Sequence, residues 1–274
     1  MNRMTEVAER DELSTPYALT AAQIAAYKQN GYVKLKEVFS PALLAAYGAQ
    51  IARVVQERNT QHLPLAERGT YAKAFLQITN LWEHDAKVKE FVMAKRLGQI
   101  AAQLMQVRGV RLYHDQALFK EPGGGFTPWH ADQYYWPMDN DNTVTAWIPL
   151  QPVPLAMGPL AFCIGSQELL ANRDVAISDE SEQKISRSLK EYPKDETAYD
   201  LGEVSFHAGW TFHRAGPNNT DAMRGVMTVI YMADGMKVAQ PKNQAQQNDW
   251  ARWLPGAPLG EVIDTPLNPI IWSE

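Results

Sequence analysis

At about residue 110 the sequence changes texture, and no other feature constrains the fold as strongly. Before that point apolar residues recur at helical spacing. After it, short runs rich in Val, Ile, Thr and aromatic residues are separated by Gly, Pro and Asn turns. In the first part Thr20 is placed to cap a helix over 21–29, ended by Asn30-Gly31. Residues 32–38 alternate and predict a short strand. Ser40-Pro41 opens a helix to about Arg58, with Leu43, Leu44, Tyr47, Ile51, Val54 and Val55 on one stripe. Two more helices are expected at 85–93 and 96–107. In the second part strands are expected at 110–119, 143–150, 160–164, 203–206, 210–213 and 224–231. Helices followed by many antiparallel strands predict a mainly β fold with flanking helices, built as a double-sheet jelly roll. A chain of 274 residues fits one such domain. It divides into a flexible leader (1–18), a mainly helical buttress (19–108), the jelly-roll core (109–240) and a C-terminal tail (241–274) packed irregularly over the barrel.

Charge and composition exclude several function classes. The net charge is −5 with no basic block, which argues against nucleic acid as a partner. No apolar run approaches the roughly 18 residues of a membrane span, and the polar start of the chain does not read as a secretory signal. A single cysteine, Cys163, excludes an internal disulfide and suits a reducing cytoplasm. It lies in an apolar strand-like run and reads as a small buried hydrophobe, not a nucleophile. Residues 174–203 hold nine acidic and four basic side chains, an excess equal to the whole net charge. That segment is either a solvated excursion or a lid beside a site.

The chemistry is concentrated in His130-Ala131-Asp132, in His213 and in Arg224, eleven residues beyond His213. Six His and 31 acidic residues produce about 0.7 His-x-acid triplets by chance, so the triplet alone decides nothing. Its setting carries the weight. On a strand, positions two apart share a face, so His130 and Asp132 can point into one interior. Two imidazoles and a carboxylate occupy three corners of an iron octahedron and leave three open. Arg224 offers a planar fork for a carboxylate. His207 shares parity with His213 but lies six residues away, roughly 20 Å along an extended strand. Both can reach one metal only if the chain turns at Ala208-Gly209. His213, nearer Arg224, is the expected ligand, and His207 a hydrogen-bonded or rim histidine.

These residues, with Phe119-Lys120-Glu121-Pro122-Gly123 upstream and Thr145-Ala146-Trp147 downstream, resemble the phytanoyl-CoA dioxygenase family. The opening 19–24 and 30–33 resembles that family's N-terminal helix and strand. The resemblance implies an Fe(II)- and 2-oxoglutarate-dependent oxygenase on a double-stranded β-helix. It makes His130, Asp132 and His213 the iron ligands and Arg224 the clamp for the far carboxylate of 2-oxoglutarate. Gln116 and Trp147 match cosubstrate-contacting positions, and Gln77 matches a third. One departure stands out. Two residues after His213, where the human enzyme of the family has a serine that contacts the cosubstrate, this chain has Ala215; that contact is either absent or supplied by Thr228. The implied reaction consumes dioxygen, releases succinate and CO2, and hydroxylates a small organic molecule. A carboxylate at Asp132 argues for hydroxylation, or desaturation or ring chemistry, over halogenation, because related halogenases have Gly or Ala there.

The substrate is less legible. Trp129, Tyr134, Tyr135, Trp136, Trp210 and Phe212 cluster around the motif, and strand parity divides them between pocket and core. A small, partly apolar molecule is expected. No basic patch for coenzyme A phosphates stands out. Two other readings compete: a non-catalytic jelly roll that binds a metal or ligand, and a zinc-dependent cupin-like enzyme, since His and Asp also bind zinc.

Overall fold

The computed structural model describes residues 3–274. Its first part supplies helices α1 (Arg3–Ser14), α2 (Ala21–Asn30), α3 (Pro41–Arg58), α4 (Thr70–Ala74), α5 (Ala86–Val92) and α6 (Lys95–Met105), with strands β1 (Tyr32–Leu35) and β2 (Leu76–Thr79). From residue 109 follow β3 (Gly109–Phe119), β4 (Thr127–His130), β5 (Thr143–Pro149), β6 (Leu160–Cys163), α7 (Asp179–Ser188) and β7 (Lys194–Asp195). The chain then forms β8 (Val204–Ala208), β9 (His213–Ala215), β10 (Val226–Ala233), α8 (Gln244–Trp253) and β11 (Ile270–Ser273).

Local signals set the helix ends. Thr20 and Gln23 form a reciprocal capping box on α2, and Gly31 closes it in the left-handed conformation at φ 81°. Ser40 caps α3 ahead of Pro41, and all six residues of its apolar stripe are buried.

Seven strands make one antiparallel sheet in the order β1-β8-β5-β10-β3-β11, with β2 also paired to β3. Four make a second sheet in the order β4-β9-β6-β7. Alternation along β10 sorts the two faces of the large sheet. Met227, Val229 and Tyr231 join the core shared with α3, α5 and α6, whereas Thr228 and Ile230 face a cavity lined by both sheets. This is the mainly β, helix-flanked jelly roll that the sequence predicts.

Several expectations are corrected. The proposed flexible leader contains α1, although residues 1 and 2 lie outside the described part. The helix is held down because Leu13 is buried in the main core and the Glu12 carboxylate accepts from the Ser40 amide and hydroxyl at 2.6 and 2.7 Å. The tail is not irregular. It forms α8 and then β11, which joins the large sheet through Ile270 opposite Arg111. Asn268 secures that return by donating to the Leu112 and Tyr113 carbonyls at 3.1 Å. The chain turns at 209–210 and runs irregularly through 211–212, so strand begins only at His213. Arg224 lies just before β10 and makes an isolated bridge with Lys120.

Candidate metal centre

His130 ends β4, and Asp132 opens a tight 3-10 turn over Asp132–Tyr135. The two side chains therefore converge through a bend and not through strand alternation, which corrects the expected mechanism. β9 delivers the third group, because His213 pairs directly with His130 across the β4–β9 ladder. One donor atom from each of His130, Asp132 and His213 lies within 4.8 Å of the others. Asp132 Oδ1 sits 3.6 Å from Nε2 of both histidines.

Backbone carbonyls orient the rings. His130 Nδ1 lies 2.8 Å from the Pro128 oxygen and His213 Nδ1 2.9 Å from the Thr211 oxygen. These contacts hold the proton on Nδ1 and leave each Nε2 lone pair facing inward, the arrangement that metal-binding histidines use. Burial pulls both histidines down to about 4, so both rings are neutral at neutral pH. Burial opposes ionisation of Asp132, but His213, His207 and His130 around it outweigh that effect and hold the carboxyl far below its usual range.

His207 also reaches this centre. The chain reverses between the two histidines, with Thr211 N donating to Ala208 O at 2.9 Å. Thr211 Oγ1 ties the turn to the Gly31 carbonyl at 2.7 Å. The rings of His207 and His213 end up 4.4 Å apart. His207 Nε2 lies 3.3 Å from Asp132 Oδ2, the outer carboxylate oxygen. It is a buried hydrogen-bonded histidine outside the converging set, not a rim residue.

A cavity of about 220 Å³ opens from the three groups, and Gln77, Gln116, Trp147 and Arg224 all line it. Register explains part of this convergence: Thr228 of β10 pairs with Gln116 on one side and Trp147 on the other. Arg224 is 1% exposed. Its Nη1 donates to the Gly158 carbonyl, its guanidinium carbon lies 5.6 Å from the Trp147 ring centre, and its Nε is buried without a partner. Burial lowers its pKa to about 9, which leaves a desolvated cation still charged at neutral pH. The Gln77 amide donates to Gln116 Oε1.

Sequence reasoning missed Thr127. It lines the cavity, and its hydroxyl is buried without a partner. A register shift between Thr127 and His130 puts both on the cavity side, which regular strand parity forbids. Thr228, by contrast, already donates to the Gln116 carbonyl at 3.1 Å. Of the clustered aromatics, Tyr135 and Trp136 line the cavity, while Trp129, Phe212 and Trp210 pack with Ile185 and Leu189 in a separate core. Tyr71, Phe75 and Trp253, with Asp249 and Arg252, also line the cavity and were not foreseen, because α4, the residue after it, and α8 carry them.

The acidic segment is ordered beside the centre. Ser178 caps α7, and Glu182 accepts from the Trp129 amide at 2.7 Å. Ile177 reaches the cavity. Cys163 is buried, which raises its thiol to about 11 and suits a packing role. Among the described residues no helix is long and apolar enough to cross a membrane.

The phytanoyl-CoA dioxygenase (PhyH) family model matches residues 27–226. A protein of Stutzerimonas stutzeri described as a "probable alpha-ketoglutarate-dependent hypophosphite dioxygenase" is 24% identical over an alignment of 226 residues, with 78% of each chain covered. Among solved structures, the non-heme alpha ketoglutarate dependent carbocyclase SnoK from nogalamycin biosynthesis superposes with a TM-score of 0.78 at 23% identity, covering 94% of this chain and 99% of its own. The epimerase SnoN, in complex with Fe3+, alpha ketoglutarate and nogalamycin RO, superposes with a TM-score of 0.76 at 22% identity, covering 92% and 98%. These likenesses carry the fold; the match to the family model carries the family.

Proposed function

The chain belongs to the phytanoyl-CoA dioxygenase family, and from that premise we propose that it is an Fe(II)- and 2-oxoglutarate-dependent dioxygenase. Its substrate is a small, partly apolar organic molecule, which it hydroxylates. His130, Asp132 and His213 hold the iron, and Arg224, Gln116 and Trp147 hold the cosubstrate. The observation that carries this reading is the pairing of a converging His-Asp-His set with a buried Arg224 whose Nε has no partner in the same cavity. Two neutral imidazoles and one ionised carboxylate suit a ferrous ion with open corners. A site meant only to hold a metal gains nothing from a desolvated guanidinium nearby.

The chain's own residues position and isolate the reactants. The Pro128 and Thr211 carbonyls fix the ring orientations that aim Nε2 inward. Arg224 offers its buried guanidinium to a carboxylate, and the unpartnered Thr127 hydroxyl is a second donor lining the same cavity. Trp147 lies beside Arg224, its ring centre 5.6 Å from the guanidinium carbon. Bound there, iron and 2-oxoglutarate supply the oxidising chemistry, consuming dioxygen and releasing succinate and CO2. Also lining the cavity, Tyr71, Phe75, Tyr135, Trp136 and Trp253 offer apolar surface beside polar Asp249 and Arg252, which supports a partly apolar substrate.

The test is an anaerobic titration of the metal-free protein with Fe(II) and then 2-oxoglutarate, following the weak visible band of the chelated cosubstrate. The band is expected in the wild type and absent or weakened in His213→Ala and Arg224→Ala. Bound metal without a band in the wild type would reject the oxygenase reading. Activity with zinc but not iron would then favour the cupin-like alternative.

A further inference from the structure

The two oxygens of Asp132 have different surroundings. Oδ1 faces His130 and His213. Oδ2 turns away and accepts from Thr145 Oγ1 at 3.0 Å, with His207 Nε2 at 3.3 Å. Thr145 and His207 are direct cross-strand partners on β5 and β8, so the large sheet presents both donors to one oxygen from adjacent strands. Resting on the iron reading above, we infer that His207 and Thr145 are positioning residues that keep Asp132 a one-oxygen ligand.

Burial and chemistry fix the direction of the His207 contact. The ring is 1% exposed and packs against His213, at 4.4 Å, and Phe162, at 5.4 Å. Its Nδ1 is buried with no partner. A neutral imidazole carries one N–H. On Nδ1 that hydrogen would be buried without an acceptor, and Nε2 would set a lone pair against the Asp132 carboxylate. On Nε2 it donates to Oδ2, and only a bare lone pair is left at Nδ1. The geometry therefore selects the Nε2–H form.

The consequence concerns coordination number. A carboxylate free to rotate can give a metal both oxygens and take a corner that the reaction needs for dioxygen. With Oδ2 held by a hydroxyl and an imidazole N–H, that rotation breaks two charge-assisted hydrogen bonds. Sequence parity hides this role, because His207 and Thr145 belong to the large sheet and Asp132 follows a strand of the other sheet.

The test uses the full chain, metal-free, titrated with Fe(II) and separately with Co(II), whose visible absorption weakens as coordination number rises. The variants are His207→Phe, His207→Gln and Thr145→Val. His207→Phe is expected to bind metal about ten- to a hundredfold more weakly and to give a weaker Co(II) spectrum. His207→Gln, which keeps an N–H near the same place, restores most of both, and Thr145→Val shows a smaller change of the same sign. Wild-type affinity and spectrum in folded His207→Phe would overturn the inference while leaving the iron reading intact. If His207→Phe does not fold, wild-type metal affinity and Co(II) spectrum in Thr145→Val overturn it equally. A wild-type protein that binds neither metal would remove the iron reading and this inference together.

Discussion

Thr127 on β4 stands directly opposite Ala215 on β9, and both line the cavity that holds Arg224. The position two residues beyond His213 lacks a hydroxyl, and the facing strand supplies one. Because the Thr127 hydroxyl is buried and unpartnered, it is the group available to an incoming carboxylate. Thr127→Val is expected to weaken 2-oxoglutarate binding about fivefold, the worth of one ordinary hydrogen bond of about 1 kcal/mol. Arg224→Met, which removes a charged donor, is expected to cost about tenfold or more. Thr228→Val, whose hydroxyl serves the Gln116 carbonyl, leaves the affinity near wild type. Titration of the visible band measures all three, and the reverse order for Thr127 and Thr228 would reject the assignment.

Gly209 decides whether His213 arrives at the centre. A Cβ there would lie 2.3 Å from Gln133 Oε1 and 2.5 Å from Thr143 Oγ1. Those two side chains bond each other at 2.5 Å, and Gln133 N donates to the Gly209 carbonyl at 2.9 Å. Neither can move without breaking the clasp that holds the turn. Gly209→Ala is expected to destabilise the fold by about 1–3 kcal/mol and to weaken Fe(II) binding. Urea unfolding and metal titration on the same sample check both, and a fully stable variant would show that the clasp yields.

Lys120 gives the protein a pH-dependent stability. It is fully buried, and Nζ donates to the Gly125 and Gly216 carbonyls. Burial, with Arg224 nearby, lowers its pKa from 10.5 to about 6. Between those values the unfolded chain binds a proton that the folded chain does not, so stability from this group rises with pH and is lost as pH falls toward 6. The slope is at most about 1.4 kcal/mol per pH unit. Lys120→Met is expected to flatten the rise between pH 7 and 9 in urea unfolding; an unchanged slope would mean that the ammonium stays charged in the fold.

The acidic segment 174–203 is proposed to close over the site. Its part nearest the cavity is held by Glu182 to the Trp129 amide, Asp179 to the Thr70 hydroxyl at 3.0 Å, and the Ile177 amide to the Tyr135 hydroxyl at 3.0 Å, while farther along β7 anchors the segment to β6. Fe(II) and 2-oxoglutarate are expected to slow proteolytic cleavage within it, with a further slowing on adding substrate. Cleavage at the same rate with all three would count against closure.

Much of this molecule is local and was legible in the residues. Helix α3 follows from Ser40, Pro41 and a six-residue stripe, because capping and 3.6-residue periodicity act within a few turns. Helix α1 was missed, since what holds it, the Glu12–Ser40 contact and Leu13 burial, lies across the fold. The tail strand β11 was missed for the same reason, as its partner is β3, more than 150 residues earlier.

By itself the sequence determined the fold class, the family and which residues gather at the cavity: two histidines, an aspartate and an arginine, separated by strands that must pair. Only the tertiary structure decided how they gather. The bend after His130, the reversal between His207 and His213, and the shift that turns Thr127 inward each break the two-residue period. That period is the only rule a strand sequence supplies about facing, and departures from it are set by contacts with other strands. Thr127, Thr145 and His207 therefore acquire their places from their neighbours across the sheets.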